Sequence, residues 1–98
     1  MASSKIQKQY IVDSVTSPEV TVETTKTATI TADASKTGYK PIGIVGISKA
    51  IVGTGVTSYI TLTAFYVNGD NVTATWHNDS AVDRKITVTF RVLYEKTS

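Results

Sequence analysis

The chain has 98 residues, 18% of them charged and 41% hydrophobic, with a net charge of +2 and no cysteine. That length makes one domain with a core of modest margin, and the apolar content is too high for a disordered tail. Without cysteine there is no disulfide, thiol nucleophile or zinc–thiolate site, and the ten basic residues are spread along the chain, which argues against a nucleic-acid footprint. The absence of disulfides in so small a domain favours synthesis in the cytoplasm. Met1–Gln9 lacks the apolar stretch of a signal peptide, and no apolar run reaches membrane-spanning length, so membrane insertion is not expected.

In chain order, Ile6 to Val15 reads as a first strand with Ile6, Tyr10 and Val12 on one side. Ser17-Pro18 is a turn signal, and Pro18, lacking an N–H, belongs at a strand start or a sheet edge. From Glu19 to Asp33 one register alternates Val20, Val22, Ala28, Ile30 and Ala32 with Thr21, Glu23, Thr27, Thr29 and Thr31. The apolar positions lapse at Thr24 and Lys26, which leaves room for a tight turn over 23–26 that would split the segment into two strands. Asp33 to Gly38 is a loop. Pro41 to Val52 breaks alternation with a nearly continuous apolar run, expected of a strand buried on both faces or lying in a subunit interface. Gly43 and Gly46 within it suggest bulges or close backbone approach. Gly53-Thr54-Gly55 is a short connection.

The last third alternates almost without interruption. Ser58 to Val67 leads into Asn68-Gly69, the strongest hairpin signal in the chain, and then into Val72-Thr-Ala-Thr-Trp76. A two-residue Asn-Gly loop would pair Val67 with Asp70. A three-residue loop would pair Tyr66 with Val72, Ala64 with Ala74 and Leu62 with Trp76, gathering Ile60, Leu62, Ala64, Tyr66, Val72, Ala74 and Trp76 on one apolar face. A slip of one residue turns every side chain over, so the buried face decides, and it favours the odd-length loop. His77 to Arg84 is a polar connection. In the closing segment Ile86, Val88, Phe90, Val92 and Tyr94 share a dry face, and Lys85, Thr87, Thr89 and Arg91 a wet one. Seven or eight short strands without helical periodicity predict an all-β domain over 1–98, an antiparallel β-sandwich or jelly roll.

Little catalytic chemistry is on offer. His77 is the sole histidine, and the eight carboxylates show no acid–base pairing by sequence. There is no phosphate-binding glycine loop and no Ser/His/Asp arrangement, so neither enzymatic activity nor a cofactor is expected. His77 with Asn78, Asp79 and Asp83 offers oxygen ligands of the kind calcium takes, but their spacing matches no calcium loop, and no metal is expected. Tyr59, Trp76, His77, Asn78 and Asp79 are the candidates for a glycan site, an aromatic platform with amide and carboxylate neighbours. The competing reading places Trp76 and Tyr66 in the core, where aromatic rings bury large area. Asn71-Val-Thr73 and Asn78-Asp-Ser80 match the glycosylation pattern by chance.

Gly38-Tyr-Lys-Pro-Ile-Gly-Ile-Val-Gly46 and the closing Val92-Leu-Tyr94 resemble small proteins and C-terminal domains encoded in tailed bacteriophages and prophages, over roughly residues 20 to 96. The resemblance carries no catalytic residues. It implies a non-enzymatic virion component, made in the bacterial cytoplasm: a head fibre, capsid decoration, tail fibre or baseplate-type appendage contacting other capsid or tail proteins. Such sandwiches are commonly trimeric, which makes Pro41, Ile42, Ile44, Val45, Ile47, Ile51 and Val52 an expected oligomer interface, though an internal core strand accounts for them too. It also makes residues 1–9 an expected anchoring arm. The runner-up is a receptor-binding module for host-cell glycan.

Overall fold

Threonine, valine and isoleucine branch at Cβ and favour extended backbone. In the computed structural model, which describes residues 9–56 and 59–97, such segments form seven strands: β1 Tyr10–Thr16, β2 Val20–Val22, β3 Thr27–Asp33, β4 Tyr39–Ile51, β5 Ile60–Asn68, β6 Asn71–Asn78 and β7 Arg84–Lys96. All pairings are antiparallel, and two sheets face each other as a sandwich. In the first sheet β7 is central, with β4 along one edge and β1 followed by β2 along the other. In the second, β6 lies between β3 and β5. Residues 1–8 and Thr57–Ser58, on which the start of the first predicted strand, most of the predicted arm and the start of the hairpin segment fall, lie outside the described residues.

The dry face read from β7 is the centre of the core. Ile86, Val88, Phe90 and Val92 are wholly buried, and Tyr94 almost so. Val72, Ala74 and Trp76 of β6 and Ile30 and Ala32 of β3 meet them from the opposite sheet. In β1, Tyr10 and Val12 do share a side, but it is the exposed one; Ile11 and Val15, opposite Tyr94 and Phe90, pack inward.

Ser17 and Pro18 mark a break rather than a turn. Thr16 lies opposite Thr89 and Val20 opposite Ile86, so β1–β2 carries one more residue than β7 over the same span. The Ser17 hydroxyl accepts the Val88 N–H at 3.0 Å and donates to Pro18 O at 2.9 Å. A side chain thus satisfies a buried ladder donor where the strand is interrupted. The turn over 23–26 does split the next segment. Lys26 N–H donates to Glu23 O at 3.0 Å and Thr25 adopts a left-handed φ of 63°, and the chain crosses from the first sheet to the second.

The two ends of the sandwich are tied by buried polar groups. At one end, Asn78 is wholly buried at the end of β6. Its Nδ2 donates to Val22 O at 2.8 Å and Val82 O at 2.9 Å, and its Oδ1 accepts from Ser80 N–H at 2.8 Å and Ser80 Oγ at 2.6 Å. One amide therefore joins β2, β6 and the 79–83 loop. At the other end the Tyr94 hydroxyl donates to Ala34 O at 2.8 Å and holds the β3–β4 loop. Burial pushes the Tyr94 phenol above its ordinary value of 10.0. A raised phenol favours the folded state below the unfolded pKa and loses that contribution as pH rises through the folded one. Stability is expected to fall above about pH 10, and in Tyr94→Phe this alkaline decline should shrink while neutral-pH stability drops by about 1–3 kcal/mol, because the Ala34 carbonyl is left unpaired. Urea unfolding of both proteins at pH 7 and pH 10.5 checks this; equal alkaline slopes would refute it.

The β5–β6 hairpin corrects the odd-length loop. Asn68 pairs with Asn71 and Val67 with Val72, leaving Gly69-Asp70 as a two-residue turn. Gly69 has φ 60° whereas Asp70 is not left-handed, which fits a type II′ turn. A bulge between Leu62 and Ala64 resets the strand, so Leu62 still meets Trp76, but Phe65 rather than Ala64 lies opposite Ala74. Tyr66 accordingly lies opposite Thr73 on the outer face, exposed, and not in the core.

Candidate functional site

β4 and β5 are the edge strands on one side of the sandwich, and Ile44 and Ile47 of β4 meet Leu62 and Phe65 of β5 there. β4 carries two bulges against β7. Pro41 lies opposite Tyr94 and Gly43 opposite Leu93; Ile44 lies opposite Val92 and Gly46 opposite Arg91. Ile42 and Val45 are the extra residues. Each bulge resets the inward parity, so Pro41, Ile44 and Ile47 all face inward at a spacing of three, which explains why alternation fails in this segment. Gly46 admits the Arg91 stem: a Cβ built there would lie 3.4 Å from Arg91 Cβ and Cδ.

The expected interface residues therefore separate. Pro41 is buried, and Ile44, Ile47 and Ile51 pack against the core. Val52 is half-buried. Ile42 and Val45 project outward, Val45 with 54% of its surface exposed. The strand is not buried on both faces; it is an edge with one dry face. From β5 the bulge brings Phe65 to the same opening, 52% exposed. Ile44, Ile47 and Leu62 line a concavity of about 240 Å³ together with Val45, Gly46 and Phe65, and none of the lining residues is charged. Sequence reasoning missed Leu62 and Phe65 here, because only the bulge in β5 turns Phe65 to this side.

The glycan candidates also separate. Trp76 is 3% exposed and Asn78 wholly buried in the structural roles described above. Lys49, in inward register opposite Val88, sets its Nζ 5.4 Å from the centre of the Trp76 ring, a cation–π contact that covers the ring. Tyr59, His77 and Asp79 remain together at the Asn78 end. Tyr59 is 56% exposed and its carbonyl accepts the Asp79 N–H at 2.9 Å. His77 Nε2 lies 3.2 Å from Asp79 Oδ1, and its Nδ1 shares a 2.9 Å hydrogen bond with Thr27 Oγ1. Asp83 is held elsewhere, accepting Thr24 N–H at 2.9 Å. Among the described residues no three metal-ligating side chains come together.

On the outer face of the second sheet, threonines of β3, β6 and β5 stand in adjacent columns. Thr31 and Thr73 hydroxyls are 3.1 Å apart, and those of Thr63 and Thr75 2.7 Å. Cross-strand pairs of this kind stabilise a sheet without charge. Elsewhere, Lys36 Nζ meets Asp13 Oδ2 at 3.0 Å and holds that carboxyl below the usual carboxylate range; both groups are solvated, so the pair adds little stability.

Fold and surface together define a small antiparallel sandwich with an uncharged apolar concavity between β4 and β5. The chain matches no family model, and neither the curated proteins nor the solved structures yield a match.

Proposed function

We propose that this chain is a non-enzymatic structural protein of a bacteriophage virion, a capsid decoration, head fibre or tail appendage, that self-associates through the β4–β5 side as a trimer. The observation that carries the association is the bulged edge of β4, where the fold turns two aliphatic side chains, Ile42 and Val45, away from the core, Val45 at the concavity that Phe65 also lines. A contact that covers Ile42, Val45 and Phe65 removes apolar surface from water. The resemblance of Gly38–Gly46 and Val92–Tyr94 to phage-encoded chains supports placing that contact in a virion, beside other capsid or tail proteins. Light scattering over a concentration series is expected to give a mass that is a multiple of three chains, and Val45→Asp, which places a charge in the contact, is expected to weaken this threefold association by 10-fold or more, about 1.4 kcal/mol or above. A wild-type protein monomeric at high micromolar concentration would remove the association. Mass spectrometry of purified particles checks the virion assignment, and a chain recovered only from the soluble host fraction would sink it.

A second reading rests on the exposed Tyr59 beside the His77–Asp79 pair, an aromatic face next to oriented polar groups that suits a host-surface glycan. Tyr59→Ala should then abolish glycan-array binding while the fold is kept; an array silent with the wild-type chain counts against it.

A further inference from the structure

A sheet edge presents unpaired N–H and C=O groups to any strand that can lie along it, and stable monomers obstruct their edges. Four edges of this sandwich are obstructed. β2 has only three residues. β1 places Asp13 in inward register opposite Val92 and runs into Pro18. β4 has two bulges and the inward-register Lys49. β5 is bulged at Thr63. Among the described residues the fifth, β3, has none of these devices and pairs only with β6. Its seven residues pair with β6 in unbroken register, without proline, glycine or bulge, and its one charge is Asp33 at the end.

The direction of its backbone groups follows from the flanking bonds. Asn78 N–H donates to Lys26 O at 3.0 Å, and Ala34 N–H donates to Asp70 O at 2.8 Å. Bonding alternates along an antiparallel strand, so the even-numbered residues between face β6. The N–H and C=O groups of Thr27, Thr29, Thr31 and Asp33 point to the open edge.

The sequence of this edge is close to a palindrome. Thr27-Ala-Thr-Ile-Thr-Ala-Asp33 reads nearly alike in both directions about Ile30. An antiparallel twofold pairing centred there sets Thr29 opposite Thr31 of the second copy, Ala28 opposite Ala32, and Thr27 opposite Asp33. The outward-pointing residues are the ones that this register makes hydrogen-bonded partners, roughly eight backbone bonds in all. Threonine columns meet threonine columns on the outer face without charge repulsion, and the inner faces of both copies continue one core.

We infer that β3 is a strand-pairing edge whose partner is a second copy of this chain, joined antiparallel about Ile30 so that two three-stranded sheets become one. This twofold contact is separate from the β4–β5 side and does not depend on the virion reading. The test is the solution mass of the wild type, Thr29→Pro and Val45→Asp. Thr29 N–H takes no part in the β6 ladder, so proline removes an edge donor while sparing the fold, as it does on edge strands generally. The expected result is an even-numbered wild-type assembly whose mass Thr29→Pro halves and Val45→Asp does not. Should Thr29→Pro fail to fold, Thr31→Lys keeps the backbone donor and sets two cations near the dyad, with the same expected loss. Because the chain has no cysteine of its own, mixing Thr29→Cys chains with Thr31→Cys chains should give a disulfide-linked pair far faster than either alone. A monomeric wild type, or a mass unchanged by both edge variants, overturns the proposal. A trimer dispersed by Val45→Asp but not by Thr29→Pro overturns it while leaving the β4–β5 reading intact.

Discussion

Phe90→Ala is expected to destabilise the domain by about 3–5 kcal/mol, the range for a large aromatic removed from a packed core. Phe90 is wholly buried at the middle of β7, between Val88 and Val92 on the same face, and lies opposite Val15 of β1 and Ile47 of β4. Truncation opens a cavity at the strand with which β1, β2 and β4 all pair. Domains of this size are stabilised by only about 5–15 kcal/mol in total, so the thermal midpoint should fall by about 12 °C or more. Calorimetry or urea unfolding reads this directly. A loss under about 1 kcal/mol would mean that the ring is not in the core.

Asn78→Asp is the second large effect, and its size depends on pH. The substitution keeps the shape but replaces an amide donor that serves Val22 O and Val82 O with a carboxyl oxygen. At neutral pH a buried anion then faces two carbonyl oxygens, a loss of about 3 kcal/mol or more. Burial without a cation raises the carboxyl pKa in the folded state. Stability should therefore be partly present at acid pH, where the group is protonated, and be lost as pH rises through its folded pKa. Asn78→Ala should be destabilised by about 2–4 kcal/mol without this pH dependence. Urea unfolding of the two variants at pH 4 and pH 7 separates them; matching pH profiles would show that the amide donor is not what holds the three segments together.

The closing strand and its face were legible in the residues themselves, since five apolar side chains at spacing two leave no other burial for Ile86 to Tyr94. The split near Thr24 and Lys26 and the irregularity at Gly43 and Gly46 also follow from local pattern, whereas Trp76 read as core or as glycan platform and only the packing of the two sheets places it in the core. The sidedness of β5 does not. Alternation from Ile60 to Tyr66 pointed to one continuous face, but the two-residue turn at Gly69-Asp70 sets one parity and the Leu62–Trp76 contact the other. Only the bulge at Thr63 satisfies both, and it exposes Tyr66 and brings Phe65 to the β4 side. Likewise the run from Pro41 to Val52 reads as apolar throughout, and the residues do not say which of them face the core.

The sequence by itself determined the class of fold, the core face of β7 and the poverty of catalytic groups, because these depend on residue type and on a period that neighbouring residues enforce. The tertiary structure decided which apolar side chains escape the core. It separated Ile42 and Val45 from Ile44 and Ile47, moved Asn78 from a glycan platform to a buried tie, and left β3 with an edge that no described strand pairs. Those outcomes depend on pairing between segments distant in the chain, where one extra residue in one strand reverses every side chain beyond it.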